Sequence, residues 1–339
     1  MDTWEIKKLE DCMRIVSRLY DDSKKPSSNS FVAPCETVFP LGLWFRGEED
    51  SGKTTLIPSV FRPLSDGRYF DETRLFNFAR ARFPQEYKTI GGSHGLFQSL
   101  VFMQHYGVPT RLLDWTESVA TALFFAVERT DSSQDGKLFV LNARKLNSVA
   151  GFEKGDRNIH DETSYGTVFR SLFCEVNTKY QWYTEAHKFG RESKDLSFMG
   201  TEFDWRHPTM PDRLKNEINS YRDSCIPCNA ISFLTQPVAV LPGLLHARLR
   251  TQHGAFTLHG GKMYSSNSTV EKCDRIDPPC SLSDLNNKQG QSEKFLLTFT
   301  IPKADKRRIK QELLALGVHA GSLYPETDKQ GDYIKELFA

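Results

Sequence analysis

The segment over residues 103–128 places polar and aromatic side chains between two apolar stretches. The side chains in it that could bind a ligand are His105, Tyr106, Thr110, Arg111, Asp114, Trp115 and Thr116. Because hydrogen-bonding groups, a carboxylate, a cation and aromatic rings converge within so few residues, the segment predicts a ligand-binding site. Asp114 and Thr116 could instead cap the following helix by accepting hydrogen bonds from its first N–H groups.

A second candidate group is the arginine in Trp44-Phe45-Arg46-Gly47. It follows an apolar run, residues 41–45, that we predict to be a buried strand. A guanidinium at that place needs acceptors, because burying an unpaired charge is costly. It could form an internal salt bridge, for instance to Asp114, or bind a phosphate or carboxylate of a ligand.

Residues 47–54, GEEDSGKT, fit the phosphate-loop pattern GxxxxGK[ST]. In such a loop, backbone N–H groups and the lysine, here Lys53, bind phosphates at the start of a helix. The three carboxylates at 48–50 would lie where the polyanion has to bind, and Pro58 would disrupt the helix that must follow. We therefore predict an exposed turn and not a nucleotide-binding loop.

A third candidate segment is RLRTQHGAF at residues 248–256. Its Gly254, in or near a predicted strand, suggests a bulge or a close approach of the backbone to a ligand. Gln252 precedes it and supplies an amide to the same region.

The chain has seven cysteines, an odd number spread thinly over 339 residues. Cys225 and Cys228 could bind zinc together with Cys273 and Cys280, but the second pair is more widely spaced than zinc ligands usually are. We expect free thiols in a reducing cytoplasm and no metal site.

Charge and hydropathy exclude several functional classes. The 44 basic and 43 acidic residues nearly balance, so no global attraction to nucleic acid or to a membrane is indicated. The chain contains no apolar run long enough to cross a bilayer, and its first residues do not resemble a signal peptide. A cytoplasmic protein without a membrane partner is expected.

Hydrophobic periodicity and breaker residues predict alternating helices and strands. Helices are expected at 4–20, 73–83, 96–106, 118–129 and 306–316, and strands at 41–45, 137–142, 238–241, 255–259 and 295–301. Residues 108–115 are predicted to be compact and irregular, and 267–291 to be an exposed excursion. The order of elements predicts an α+β fold with a mixed or antiparallel sheet.

Four regions are predicted along the chain: 1–30, an N-terminal helix and linker; 31–144, a first part of the core; 145–235, a helical insertion; and 236–339, which completes the sheet and ends in a helix. The insertion is expected to hold helices near 168–188 and 210–222. Its basic and aromatic side chains could bind and stack on nucleic acid, or could form its own core. They are Arg170, Lys179, Tyr180, Trp182, Tyr183, Lys188, Arg191, Trp205 and Arg206.

Several of these segments together resemble the FRG domain family, which is named for a Phe-Arg-Gly sequence seen here at 45–47. The resemblance continues through IPSVFR at 57–62, QHYGVPTRLLDWT at 104–116 and the ALFFA helix. It extends further to Asp135-Gly136 with LFVLN, to the 248–256 segment, and to the tail that begins IPKADKRRIKQELLALGV. The resemblance implies a bacterial effector from a mobile or phage-defence setting, acting as a toxin or in immunity.

The family's layout is similar to that of ADP-ribosyltransferases, which use NAD as substrate. That similarity implies a sheet core of the ADP-ribosyltransferase type, with Arg46 at the pyrophosphate and His105 at a ribose hydroxyl or phosphate. Tyr106 or Trp115 would stack on nicotinamide. The catalytic residues implied are Arg46, His105, Asp114 and Gln252, and the NAD-binding residues are Arg46, Gly47, Tyr106, Thr110, Arg111, Trp115 and Thr116. The late strand shows Gln252-His253-Gly254 in place of Gln/Glu-x-Glu, so no catalytic glutamate is implied.

We therefore predict an NAD-dependent ADP-ribosyltransferase-like toxin or defence effector that modifies RNA, DNA or protein, with a neutralising partner protein expected by analogy. Two alternatives remain open. One is a binding module that senses a small anionic ligand without chemistry. The other is a nuclease or nucleotide hydrolase that uses Asp114 and His105 with a metal.

Overall fold

The computed structural model describes residues 5–23, 42–50, 56–89, 95–131, 133–149, 237–242, 246–260, 262–264, 272–273, 275–277, 279–290 and 294–338. Four predictions therefore fall largely outside the described residues: the insertion with its two helices, its basic and aromatic side chains, Lys53, and the Cys225–Cys228 half of the zinc hypothesis.

A six-stranded antiparallel sheet forms the centre of the fold. The strands in chain order are β1 (Leu43–Glu48), β2 (Tyr69–Phe70), β3 (Leu112–Thr116), β4 (Gly136–Asn142), β5 (Val238–Val240), β6 (Gly254–Leu258), β7 (Lys262–Tyr264), β8 (Lys272–Cys273), β9 (Arg275–Asp277) and β10 (Leu296–Ile301). The order across the large sheet is β10-β4-β1-β3-β6-β5, while β2 pairs with β8 and β7 with β9. The α+β class with an antiparallel sheet is thus confirmed; the more specific likeness to the ADP-ribosyltransferase fold stays a prediction.

Helices cover both faces of this sheet. They are α1 (Leu9–Ser23), α2 (Glu72–Arg82), α3 (Pro84–Thr89), α4 (Gly95–His105), α5 (Val119–Val127), α6 (Ala143–Val149), α7 (Ala247–Thr251), α8 (Leu282–Asn287), α9 (Lys306–Ala315), α10 (Ala320–Leu323) and α11 (Thr327–Phe338). Among the described residues, none of these helices is long and apolar enough to cross a membrane.

The prediction that residues 108–115 are irregular was wrong for their second half. Leu112–Thr116 forms β3, which lies between β1 and β6 in the sheet. Its leucines and Trp115 are buried, whereas the Asp114 side chain is exposed and interrupts the apolar run that would have indicated a strand. Pairing with two neighbouring strands, which depends on residues far away in the sequence, determines the extended conformation here.

The structure also corrects the predicted ends of several elements. β1 continues through Arg46 and Gly47 to Glu48, so the phosphate-loop pattern begins inside a strand. The first helix starts at Leu9, because Glu5 and the backbone N–H of Ile6 pair with Thr300 of β10. The third candidate segment starts as helix α7, so Gln252 lies at the end of a helix and the strand begins only at Gly254.

The predicted exposed excursion at 267–291 was wrong for α8. Leu282 and Leu285 of this helix are buried against the sheet, and Ser281 caps it by accepting from the Asp284 N–H. The buried Asn286 side chain accepts from two backbone N–H groups and donates to a carbonyl at the start of β10. Sequence polarity around the helix concealed these few inward-facing residues.

Two hydrophobic cores lie on opposite faces of the sheet. One joins α1, α5 and α9 to β1 and β4, and the other joins α6 and α8 to the same sheet. Helix α5 contacts β1 so closely that a Cβ atom built at Gly47 would lie 1.7 Å from the carbonyl oxygen of Ala122. Only glycine permits this approach, and the approach places the start of α5 beside the end of β3.

The segments on either side of residues 150–236 contact each other in the core. Asn147 of α6 donates to the backbone carbonyl of Ala239 at 3.0 Å and accepts from its N–H at 2.7 Å. The chain therefore leaves the described core at α6 and returns to it at the neighbouring strand β5.

Candidate functional site

A pocket with a volume of about 360 Å³ opens beside the centre of the sheet. Its walls come from β1, α4, β3, α7 and β6, with Tyr324 after α10. All three segments singled out in the sequence contribute to it, although they are separated by more than fifty residues from one to the next. From those segments the lining residues are Phe45, Arg46, Gly47, Gln104, His105, Asp114, Trp115, Thr116, Phe125, Arg248, Leu249, Gln252, Gly254, Ala255 and Phe256.

Arg46 lies in the pocket wall with its guanidinium held on two sides. Its Nε donates to Oε1 of Glu48 at 2.8 Å, and its Nη1 donates to the backbone carbonyl of Asp114, also at 2.8 Å. The salt bridge is therefore to Glu48 and not to the Asp114 carboxylate suggested as one alternative. Among the described residues Nη2 has no hydrogen-bond acceptor, so the arginine keeps donors for an anion in the pocket.

The Asp114 carboxylate is exposed to the pocket and held in place from below. Gln104 Nε2 donates to its Oδ2 at 2.9 Å, and Gln104 Oε1 accepts from the Thr110 hydroxyl at 2.6 Å. The Thr110 N–H in turn donates to Ser59 Oγ at 3.2 Å. This relay leaves Asp114 Oδ1 without a hydrogen-bond donor among the described residues, so it can interact with a ligand.

The suggestion that Asp114 or Thr116 caps the next helix was wrong. Ser118 is the N-cap of α5, and its hydroxyl accepts from the Thr121 N–H. Thr116 accepts from the Ser118 N–H and donates to the Gln252 carbonyl at 2.6 Å. It therefore connects β3 to the end of α7 on the opposite pocket wall.

Tyr106, Thr110 and Arg111, three of the predicted NAD-binding residues, are not among the residues that line the pocket. The Arg111 side chain is buried and pairs with Glu72 through Nε and Nη2. Tyr106 is 56% exposed, and its ring stacks on Phe83 at 5.6 Å on the outer side of α4. Thr110 is fully buried in the relay below Asp114. The contacts of Thr110 and Arg111 hold the loop before β3 in place.

Trp115 contacts the pocket but is almost fully buried. Its Nε1 donates to Thr257 Oγ1 at 3.0 Å, and that hydroxyl lies 2.8 Å from His259 Nε2. Burial, with the nearby charges of Arg111 and Arg46, lowers the pKa of His259 to about 3, so this imidazole is neutral. The network fixes the Trp115 ring and therefore the pocket floor.

Several pocket residues were missed or undervalued by sequence reasoning: Gln104, His246, Arg248 and Tyr324. The rings of His105 and His246 stack at 5.0 Å with an interplanar angle of 6°. Burial is the main cause that lowers the pKa of both histidines. The guanidinium of Arg248 lies over the Tyr324 ring at 4.9 Å. Gln104 had a local signal in its place next to His105, and Arg248 lies at the start of the 248–256 segment, whereas His246 and Tyr324 had none.

Tyr324 closes the pocket from the C-terminal part of the chain. Its hydroxyl donates to the Glu128 carboxylate at 3.1 and 3.3 Å. Burial raises the pKa of Glu128, and burial with the Glu128 charge raises the pKa of Tyr324. Gln252 Nε2 and Thr251 Oγ1 both donate to the carbonyl of Leu323 next to it. These contacts attach the tail to α7 and to α5.

Within the part of the chain that the structure describes, no cluster of three or more histidine, cysteine or acidic side chains could hold a metal ion. Cys12 is a buried free thiol and Cys280 a half-buried one.

Comparison with known proteins bears on the family of the chain. No curated protein matches the chain, and neither does any solved structure. The family model of the FRG domain matches residues 42–135, a range that includes β1, α4, β3 and α5. That range supplies Arg46, Gln104, His105 and Asp114 to the pocket, whereas His246, Arg248 and Tyr324 lie beyond it. The chain therefore contains an FRG domain, as its Phe45-Arg46-Gly47 and 104–116 motifs predicted.

Proposed function

We propose that the chain binds NAD in this pocket and transfers its ADP-ribose unit to a cellular macromolecule. The observation that carries the proposal is the meeting of Arg46, Asp114 and the Gln252–Phe256 wall in one cavity. The resemblance to ADP-ribosyltransferases assigns these three segments to one NAD site, and the sheet order makes them neighbours although they are distant in sequence.

The chemistry needs stabilisation of positive charge on a ribose. In the proposed reaction the bond between ribose C1′ and the nicotinamide nitrogen breaks, and its electron pair leaves with neutral nicotinamide. A nucleophilic oxygen or nitrogen of the target forms the new bond to C1′ and loses its proton to solvent or a base. The intermediate ribose resembles an oxocarbenium ion, which a fixed carboxylate stabilises. Asp114 is the acidic residue that lines the pocket, and Gln104 holds it at 2.9 Å.

The remaining pocket groups support binding of a dinucleotide. Arg46 has donors left for a phosphate, and a guanidinium binds phosphate oxygens with two parallel hydrogen bonds. The rings of Phe125, Trp115 and Tyr324 form apolar surface for a flat base or nicotinamide. A volume of about 360 Å³ is within the usual range of small-molecule sites and suits one end of NAD more than the whole molecule.

The target and the biological setting follow from the family resemblance alone. FRG proteins are bacterial and occur in mobile or defence settings, so we propose a toxin or defence effector that acts on RNA, DNA or protein in the cytoplasm. A neutralising partner protein is expected by analogy with other toxins.

A second candidate is a sensor that binds an anionic ligand without chemistry. It is favoured by the excess of cationic or protonatable groups in the pocket wall, where Arg46, Arg248, His105 and His246 accompany a single carboxylate. Such a pocket holds an anion well even when it lacks a second acid or base for catalysis.

The experiment that tests the proposal is incubation of the purified chain with NAD labelled in the adenylate and a bacterial extract. Released nicotinamide is measured by chromatography, and labelled product is treated with protease or nuclease to identify the target class. Arg46→Ala and Asp114→Asn should lower nicotinamide release by about a hundredfold or more, because the first removes the phosphate contact that positions NAD and the second removes the carboxylate that stabilises the developing positive charge.

Arg68→Ala and Asp66→Asn are matched controls, since these two residues form an exposed ion pair with each other in the same domain. Both controls should retain wild-type rates. Absence of nicotinamide release and of label transfer by the wild-type protein would refute the transferase. Arg46-dependent binding of NAD without turnover would then support the sensor.

A further inference from the structure

We infer that Arg248, His105 and His246 form a phosphate-binding subsite of the pocket, distinct from Arg46. The three side chains come from α4 and from α7 with the residue before it, and all three line the cavity. His246 and Arg248 lie outside the FRG domain match.

Protein contacts orient the Arg248 guanidinium without using its hydrogen-bond donors. It stacks on Tyr324 at 4.9 Å, and its Nη1 lies 3.8 Å from Glu326 Oε1, which is too long for a hydrogen bond. Among the described residues no acceptor takes a hydrogen bond from Arg248. A guanidinium has five N–H donors, so all of them remain for a ligand.

The stacked histidines extend this set of donors. Their rings are parallel and 5.0 Å apart, and neither ring makes a hydrogen bond with another described residue. Burial, the His246 charge and the Arg248 charge lower the pKa of His105, whereas Glu326 raises it. Burial and the Arg250 charge lower the pKa of His246. A bound phosphate would supply the negative charge that these groups lack, so ligand binding and protonation of the pair should favour each other.

The contrast with Arg46 argues for two separate anion contacts. Arg46 is already paired with Glu48 and with the Asp114 carbonyl, and it faces the pocket from β1. Arg248 is held on the α7 side by an aromatic ring and a loose ion pair. A ligand that contacts both arginines carries two anionic groups or a diphosphate. In the context of the proposed function, this subsite takes one phosphate of the ADP-ribose unit; the phosphate contact itself does not require any turnover.

The test is calorimetric titration of the full chain with inorganic pyrophosphate and, separately, with ADP-ribose at pH 6.5. Arg248→Gln should weaken binding of both by about tenfold or more, because it removes charge-assisted hydrogen bonds. Arg250→Gln is the matched control: it lies on the same helix, is exposed, does not line the pocket and loses the same charge. It should change the affinity by less than about threefold, because Arg250 does not contact the pocket and its charge reaches the subsite only through its effect on His246.

Arg248→Gln could fail to fold because it loses the stack on Tyr324. In that case Arg248→Lys and His246→Asn test the subsite in its place. The lysine variant keeps the charge and loses the planar fork, so intermediate binding is expected. His246→Asn should weaken binding at pH 6 more than at pH 8. Circular dichroism of each variant checks the fold.

The outcomes separate this inference from the transferase proposal. Pyrophosphate binding that depends on Arg248, without nicotinamide release, supports the subsite and refutes the transferase. Nicotinamide release with pyrophosphate affinity equal in the wild type, Arg248→Gln and Arg250→Gln refutes the subsite and leaves the transferase standing. Equal loss in the two glutamine variants also refutes it, because only the general charge of the surface would then matter.

Discussion

Replacement of Gly47 by alanine should unfold or severely loosen the chain, because the backbone of α5 occupies the space that a side chain needs. A Cβ at position 47 would lie 1.7 Å from the carbonyl oxygen of Ala122 and 2.7 Å from the backbone nitrogen of Ala126. Both are helix backbone atoms, so no rotamer change relieves the clash. Even the shortest tolerable contact, about 3.0 Å, requires the helix to move away by more than 1 Å.

The cost of that movement follows from what α5 buries. Leu123, Phe124 and Val127 are fully buried between α5 and the sheet. Complete burial stabilises each by about 1.5–3 kcal/mol, and a gap of about 1 Å forfeits roughly half of the energy of their contacts. We therefore expect Gly47→Ala to lower the free energy of unfolding by about 2–4 kcal/mol, which is a large part of the stability of a typical domain.

Urea denaturation followed by circular dichroism measures the loss. Gly290→Ala is the control, because a Cβ there meets no atom within 4 Å and the residue does not have a positive φ; it should stay within about 0.5 kcal/mol of the wild type. A Gly47→Ala protein with wild-type stability would refute the close packing of α5 on β1. It would also return Gly47 to the role of a ligand contact, which its place in the Phe-Arg-Gly motif had suggested.

Three further outcomes are expected. Arg111→Ala should destabilise the chain by about 3 kcal/mol, since it removes the cation that pairs with the Glu72 carboxylate and leaves it the hydrogen bond from the backbone N–H of residue 111. Ligand affinity measured well below the unfolding temperature should stay unchanged; selective loss of affinity would contradict a structural role. The pKa of His259 is about 3 in the fold, so the unfolded state binds a proton first as the pH falls below about 6.5, and stability should decrease by up to roughly 1.4 kcal/mol per pH unit. Urea titrations at pH 7, 6 and 5 measure this slope, and His259→Gln should flatten it. Tyr324→Phe should cost about 1–3 kcal/mol in thermal or urea unfolding, because the half-buried Glu128 loses its donor; a neutral result would show that solvent replaces the hydroxyl.

The sequence predicted the main secondary structure and several of the residues that line the pocket, for physical reasons that act locally. The apolar helix of residues 119–127 follows from its periodicity, and the strand 136–142 from its apolar run after a turn. Arg46 and Asp114 drew attention because charged groups among buried residues need partners. Strand β3 and helix α8 were not predicted, because an exposed aspartate in one and a polar neighbourhood around the other obscured the few buried residues.

The sequence did not show which of its polar residues contact the pocket and which contact the rest of the protein. Thr110 and Arg111 have the same spacing and chemistry as pocket residues, yet one lies in the relay below Asp114 and the other in an ion pair with Glu72. Both lie in the irregular loop before β3, and within β3 itself neighbouring side chains point to opposite faces, as the exposed Asp114 and the buried Trp115 do. The sequence shows this alternation but does not show which of the two faces meets the pocket.

The sequence by itself determined that the chain has an α+β core and that Phe45-Arg46-Gly47 and the 104–116 segment belong to an FRG domain, whereas the 248–256 segment lies beyond the family match. The tertiary structure decided which side chains meet. Only the sheet order places β6 beside β3, and only the return of the C-terminal tail brings Tyr324 over Arg248. The reason is that the identity of a polar residue fixes what it can bind, whereas its partners are set by packing between segments that the chain connects over one or two hundred residues.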